Sequence, residues 1–135
     1  MALIAVQPFA LTNATVKVGT SNFETSVSTV EFVPTTPAFG FKGLTPAAVF
    51  NFPGSPSWVV NITAAQDWDT PGSLSNYLLA SAGTSVVMDF VPKLGGKTFR
   101  ATVTLQPGNI GGAVDTVPVF SVTLQVQGAP TIVTP

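Results

Sequence analysis

The chain has 135 residues, 45% of them apolar but only 8% charged, with a formal net charge of −1. A typical soluble domain carries roughly 25% charged residues, so a lone monomer of this composition is poorly protected against self-association. There is room for one domain with a real core, and the absence of Cys and His excludes disulfides, thiol chemistry, the commonest acid–base catalyst and the commonest zinc ligand.

So few charges point either to a membrane or to a surface covered by copies or partners. The membrane option fails at the longest uncharged stretch, 43–66. It holds Pro46, Pro53 and Pro56 among Asn51, Ser55, Ser57 and Asn61, which no spanning helix tolerates. The opening MALIAVQPFAL lacks a basic flank and breaks at Gln7-Pro8, so a secretory signal is not expected. Assembly is the expectation that remains.

In chain order, residues 1–13 read as an apolar N-terminal arm and Thr15–Val18 as a short strand. Residues 24–34, ETSVSTVEFVP, are β-branched and strand-like, and their alternation slips near Thr29, which predicts a bulge. Residues 35–56 form a long Pro- and Gly-rich loop that still carries Phe39, Phe41, Phe50 and Phe52. Disordered segments are poor in aromatics. The segment therefore reads as an extended arm or hairpin, and these four phenylalanines are candidate inter-subunit contacts.

Residues 58–66, WVVNITAAQ, alternate like a half-buried strand. The stretch SLSNYLLASAG that follows is the one convincing helix. Its expected N-cap is Thr70, with Pro71 at the first helical position, and Ser73 competes for the role. Leu74, Tyr77, Leu78 and Ala82 share the expected buried face, whereas Ser75, Asn76 and Ser81 face outward. Gly83 stands where a left-handed C-terminal residue is wanted.

Three strands are expected after the helix: 84–91, 98–106 and 119–127. Val86, Met88 and Phe90 share a core face in the first, and Phe99, Ala101, Val103 and Leu105 in the second. Phe120, Val122, Leu124 and Val126 do so in the third. The opposite faces carry Thr102, Thr104, Thr123 and Gln125, uncharged and polar. A Gly-Gly turn separates the first two strands, a Gly-rich loop at 107–118 the last two, and 128–135 reads as a tail.

Little of this points to chemistry. Asp67 and Asp69 precede the helix, where negative charge is favoured, and the sequence after them departs from a calcium loop. Gly108–Gly112 lacks the Lys-Ser/Thr of a phosphate loop. Asn13-Ala-Thr15 and Asn61-Ile-Thr63 match a glycosylation sequon, which says nothing without secretion. No histidine can activate a serine, and the five cations are scattered, so neither an enzyme nor a nucleic-acid-gripping surface is expected. No cofactor is expected.

The ordered set SWVVNITAAQDWDTPGSLSNYLLASAGT, then FVPK, then GKTFRATVTLQPGNIGGAVDTVPVFSVTLQVQGAPT resembles the major tail-tube proteins of long-tailed bacteriophages, especially those of actinobacterial hosts. The matching positions are the Trp58 strand, Gln66-Asp67-Trp68, the Gly72–Leu79 segment, Pro107-Gly108, Gly111-Gly112 and the closing strand with Gly128. The resemblance spans about residues 24–130.

It implies a mainly β, antiparallel sandwich or barrel-like domain with one flanking helix. It further implies hexameric rings stacked into a virion tail tube, assembled in the host cytoplasm, through which DNA passes without sequence-specific binding. Tape-measure, tail-terminator and tail-tip proteins are the implied partners. The arm, the long loop and the tail would bridge subunits, and Thr102, Thr104, Thr123 and Gln125 are candidates to face the lumen. A capsid decoration or adhesion module of the same class, and a hydrolase with an unusual base, are the alternatives.

Overall fold

The computed structural model describes residues 2–134. Met1 and Pro135, the outermost residues of the expected arm and tail, lie outside the described residues.

The alternating stretches become the strands β1 (Thr15–Val18), β2 (Ser21–Asn22), β3 (Val27–Thr35), β6 (Ser57–Ala65), β7 (Ser85–Val91), β8 (Thr98–Thr104) and β9 (Val119–Val133). They form one antiparallel sheet in the order β2-β1-β7-β8-β9-β6-β3. A separate two-stranded ribbon, β4 (Ala38–Lys42) with β5 (Val49–Pro53), stands between β3 and β6 in the chain.

The seven-stranded sheet curls over its own apolar face. Phe32 of β3 and Phe90 of β7 belong to strands four places apart in the sheet, yet their ring centroids lie 6.4 Å apart. Curling brings the two layers of a sandwich together from one sheet, and among the described residues the edges do not pair into a closed barrel. Val60, Ile62, Met88, Val103, Leu105, Phe120 and Leu124 form the dry centre.

The three strands after the helix keep the expected inward faces. In β3 the pairing with β6 slips between Val27 and Thr29, so the bulge falls where the sequence pattern breaks. The expected C-terminal tail is different: β9 runs on through Gly128 to Val133. Gly128 takes a positive φ of 81°, and the register with β8 shifts between Arg100 and Thr102. A glycine can bend the strand there without ending it.

The helix α1 (Leu74–Ala80) closes one end of the curled sheet. Its N-cap is Ser73, whose Oγ accepts from the Asn76 N–H at 3.4 Å; Thr70 is not the cap. Leu74 and Leu78 are fully buried, and Tyr77 stacks on Phe23 with centroids 6.0 Å apart. Two expectations for the helix face fail. Ala82 lies beyond the last turn and is exposed, and Ser75 is buried at 5% exposure. Ser75 turns inward because its Oγ accepts the Asp67 N–H at 3.3 Å. Gly83 has the expected positive φ, 89°, and its N–H donates to Leu105 O, which feeds the chain into β7 beside β8.

Candidate assembly surfaces

The aromatic loop of the sequence is the β4–β5 hairpin. Its register pairs Phe39 with Phe52 and Phe41 with Phe50. Because side chains alternate along a strand, these four rings share one face of the ribbon. They stand in two cross-strand pairs, with centroids 6.1 Å and 6.4 Å apart. Such pairs contribute about 0.5–1.5 kcal/mol each beyond area burial. That keeps the ribbon paired, although an isolated two-stranded hairpin is otherwise marginal.

The four rings remain between 49% and 65% exposed, and every residue of both strands is exposed. The hairpin therefore does not fold onto its own core. Proline stiffens its legs at Pro34, Pro37, Pro53 and Pro56, and the Gly54 N–H donates to Pro37 O across the base. Leu3, Ile4, Val6, Phe9 and Leu11 of the N-terminal arm are exposed as well.

Thr102, Thr104, Thr123 and Gln125 sit together on the convex face of the sheet. Thr104 and Gln125 are register partners, and Thr123 Oγ1 donates to Asn61 Oδ1 at 2.7 Å. Gln127 Nε2 donates to Thr104 Oγ1 at 3.1 Å, and the Thr63 and Ser121 hydroxyls meet at 3.1 Å. The centre of this face, on β8, β9 and β6, is thus a hydrogen-bonded field of uncharged side chains. Its nearest cation, Arg100, is held bidentately by Asp89 at 2.8 and 3.3 Å. That contact raises the guanidinium pKa above its ordinary value.

Asp67 serves the turn ahead of the helix. Its Oδ1 accepts the N–H groups of Asp69 and Thr70, both at 3.2 Å. Hydrogen bonds from the Thr70 side chain and backbone, with a smaller one from the Asp69 backbone, hold this carboxyl below the usual Asp pKa against a small opposing effect of desolvation. No three metal-ligating side chains converge among the described residues, and no helix is long and apolar enough to cross a membrane.

One feature escapes the sequence patterns. At the end of the sheet opposite the helix, Phe32, Trp58, Phe90, Phe99, Pro130 and Ile132 line an open cleft of about 400 Å³. Four of these residues lie on strands read correctly as strands, Pro130 and Ile132 lie in the part of β9 expected to be a tail, and the cleft depends on how β3, β6, β7, β8 and β9 converge. The available signal is the excess of aromatics at strand ends that the curl brings together.

Comparison with protein-family models gives no match, and comparison with curated protein sequences gives none either.

Proposed function

We propose that this chain is a structural subunit that polymerises, through its projecting hairpin, into the tail tube of a long-tailed bacteriophage. The observation that carries the proposal is the hairpin itself: four phenylalanines on one face, held out from the body and half exposed or more. Burying such a ring gains roughly 1.5–3 kcal/mol, so an aromatic face left this exposed favours a partner that covers it.

Two further observations support a tube. The uncharged field around Thr104 and Gln125 suits the wall of a channel that DNA slides along, because phosphate is gripped by cations that this patch lacks. The resemblance to major tail-tube proteins covers the strands, the helix and the Gly-rich loop of this same fold. In this proposal the protein is a virion tail component and not an enzyme. Six copies form each ring, and the tape-measure, tail-terminator and tail-tip proteins are its partners.

Negative-stain electron microscopy of concentrated purified protein tests the proposal. Stacked rings with a central channel are expected. Discrete particles at every concentration would favour a decoration or adhesion module that docks on a different protein.

A further inference from the structure

The apolar cleft and the aromatic hairpin lie at the same end of the molecule. Phe32 and Trp58 are part of the cleft, and β3 and β6, which carry them, are the strands from which the hairpin departs. Yet no hairpin residue lines the cleft, and the proline-stiffened legs hold the ribbon away from it. Each copy therefore presents one unfilled apolar cleft and one unpartnered aromatic face.

We infer that the cleft of one copy is the receptor for the hairpin of another. The inference rests on the assembly proposed above and names the surface that the hairpin contacts.

Size supports it. A cavity of about 150 Å³ accommodates one benzene. The cleft, at about 400 Å³, has room for two phenyl rings, one cross-strand pair such as Phe41 with Phe50. Area sets the scale of the contact. An aromatic side chain buries roughly 150–250 Å², so the two half-exposed rings that fit the cleft offer on the order of 200 Å². A stable interface needs about 800 Å² per partner, so the docked pair is the anchor of a larger contact between copies.

Chemistry separates the hairpin from the other apolar element at hand, the N-terminal arm. The cleft contains no charged side chain and the hairpin's aromatic face carries none. The hairpin is already paired, so docking orders few new backbone torsions. The arm has no regular structure and is interrupted by Gln7 and Pro8.

The test places the photoreactive residue benzoylphenylalanine at Phe50, which preserves an aromatic ring there. The probe protein is mixed with isotope-labelled unmodified copies under assembly conditions, and crosslinks are mapped by mass spectrometry. Crosslinks from the probe to Trp58, Phe99, Pro130 or Ile132 of labelled copies are expected. Tubes that crosslink elsewhere, or only within one chain, would overturn the inference and leave the tube proposal standing. Cleft crosslinks confined to particles of two copies would do the reverse. An absence of any association would overturn both.

A second variant guards against a disturbed hairpin. Ile132 sits at the cleft rim and is 63% exposed, so Ile132→Asp leaves the monomer's fold intact. Burying its unpaired charge should raise the concentration needed for assembly about tenfold or more. Unchanged assembly would count against the cleft.

Discussion

Gln66 and Gly111 hold each other through both ends of one amide: the Gly111 N–H donates to Gln66 Oε1 at 2.9 Å, and Gln66 Nε2 donates to Gly111 O at 2.9 Å. The same side chain donates to Val119 O and accepts from Trp68 Nε1. It ties the end of β6 to the Gly-rich loop before β9. Gly111 needs its positive φ of 94° to present both backbone groups.

Removing this tie should loosen the loop ahead of β9. Gln66→Ala should cost about 1–3 kcal/mol, because several hydrogen bonds are lost at a partly exposed site. Gln66→Glu should be no milder, since a carboxylate would face the carbonyls of Gly111 and Val119. Thermal melts give the stability, and hydrogen exchange at the Gly111 amide localises the effect. A wild-type melt with slow Gly111 exchange in either variant would show that the tie is unimportant.

The helix provides a graded test. Leu78→Ala removes a buried side chain and should cost about 2–5 kcal/mol. Ser75→Ala leaves the Asp67 N–H without its partner and should cost about 1 kcal/mol. Leu79→Ala, on the exposed face, should cost less than either. Chemical denaturation of the three variants gives the order directly, and equal midpoints would contradict the packing described above.

Much of the sheet was legible because burial and alternation coincide. Phe120, Val122, Leu124 and Val126 point inward as their spacing predicts, and the slip near Thr29 is a bulge. The helix was legible as a helix, but its inward face was not fully so. Ser75 is drawn in by a backbone N–H eight residues upstream, a contact no helical period encodes. The segment 35–56 was legible as an extended arm or hairpin, and Phe39 with Phe41 and Phe50 with Phe52 carry a strand's spacing of two, but Gly40 and the prolines obscured its strand bounds and register. The cleft was illegible because its lining comes from five strands and its two sides, Phe32 of β3 and Phe90 of β7, meet only through the curl of the sheet.

Acid should weaken the turn at Asp67. Its carboxyl pKa is lower in the folded protein than in the unfolded chain, chiefly through Thr70. The contribution to stability is therefore complete above the unfolded Asp value of about 3.9 and is lost as pH falls through the lower folded value. Asp67→Asn should flatten the dependence of Tm on pH between about pH 5 and about pH 2. Parallel curves for the two proteins would show that Asp67 does not contribute.

Adding cations to the convex polar face should be read out in DNA passage. If Thr104, Thr123 and their neighbours line the lumen, Thr104→Lys or Thr123→Lys should slow DNA ejection and leave tubes intact, because each lysine adds a phosphate contact. Unimpaired ejection, or a tube map that places Thr102, Thr104, Thr123 and Gln125 on the outer wall, would remove the lumen assignment.

The hairpin carries the central claim, and its direct test is the double variant Phe50→Ser, Phe52→Ser, imaged by negative-stain electron microscopy with its monomer melted in parallel. Both rings are about half exposed and make no part of the core. The expected result is a monomer that melts with the wild type and forms no tubes, while wild-type protein forms stacked rings. A variant that still forms tubes, or whose isolated monomer unfolds, would contradict the claim.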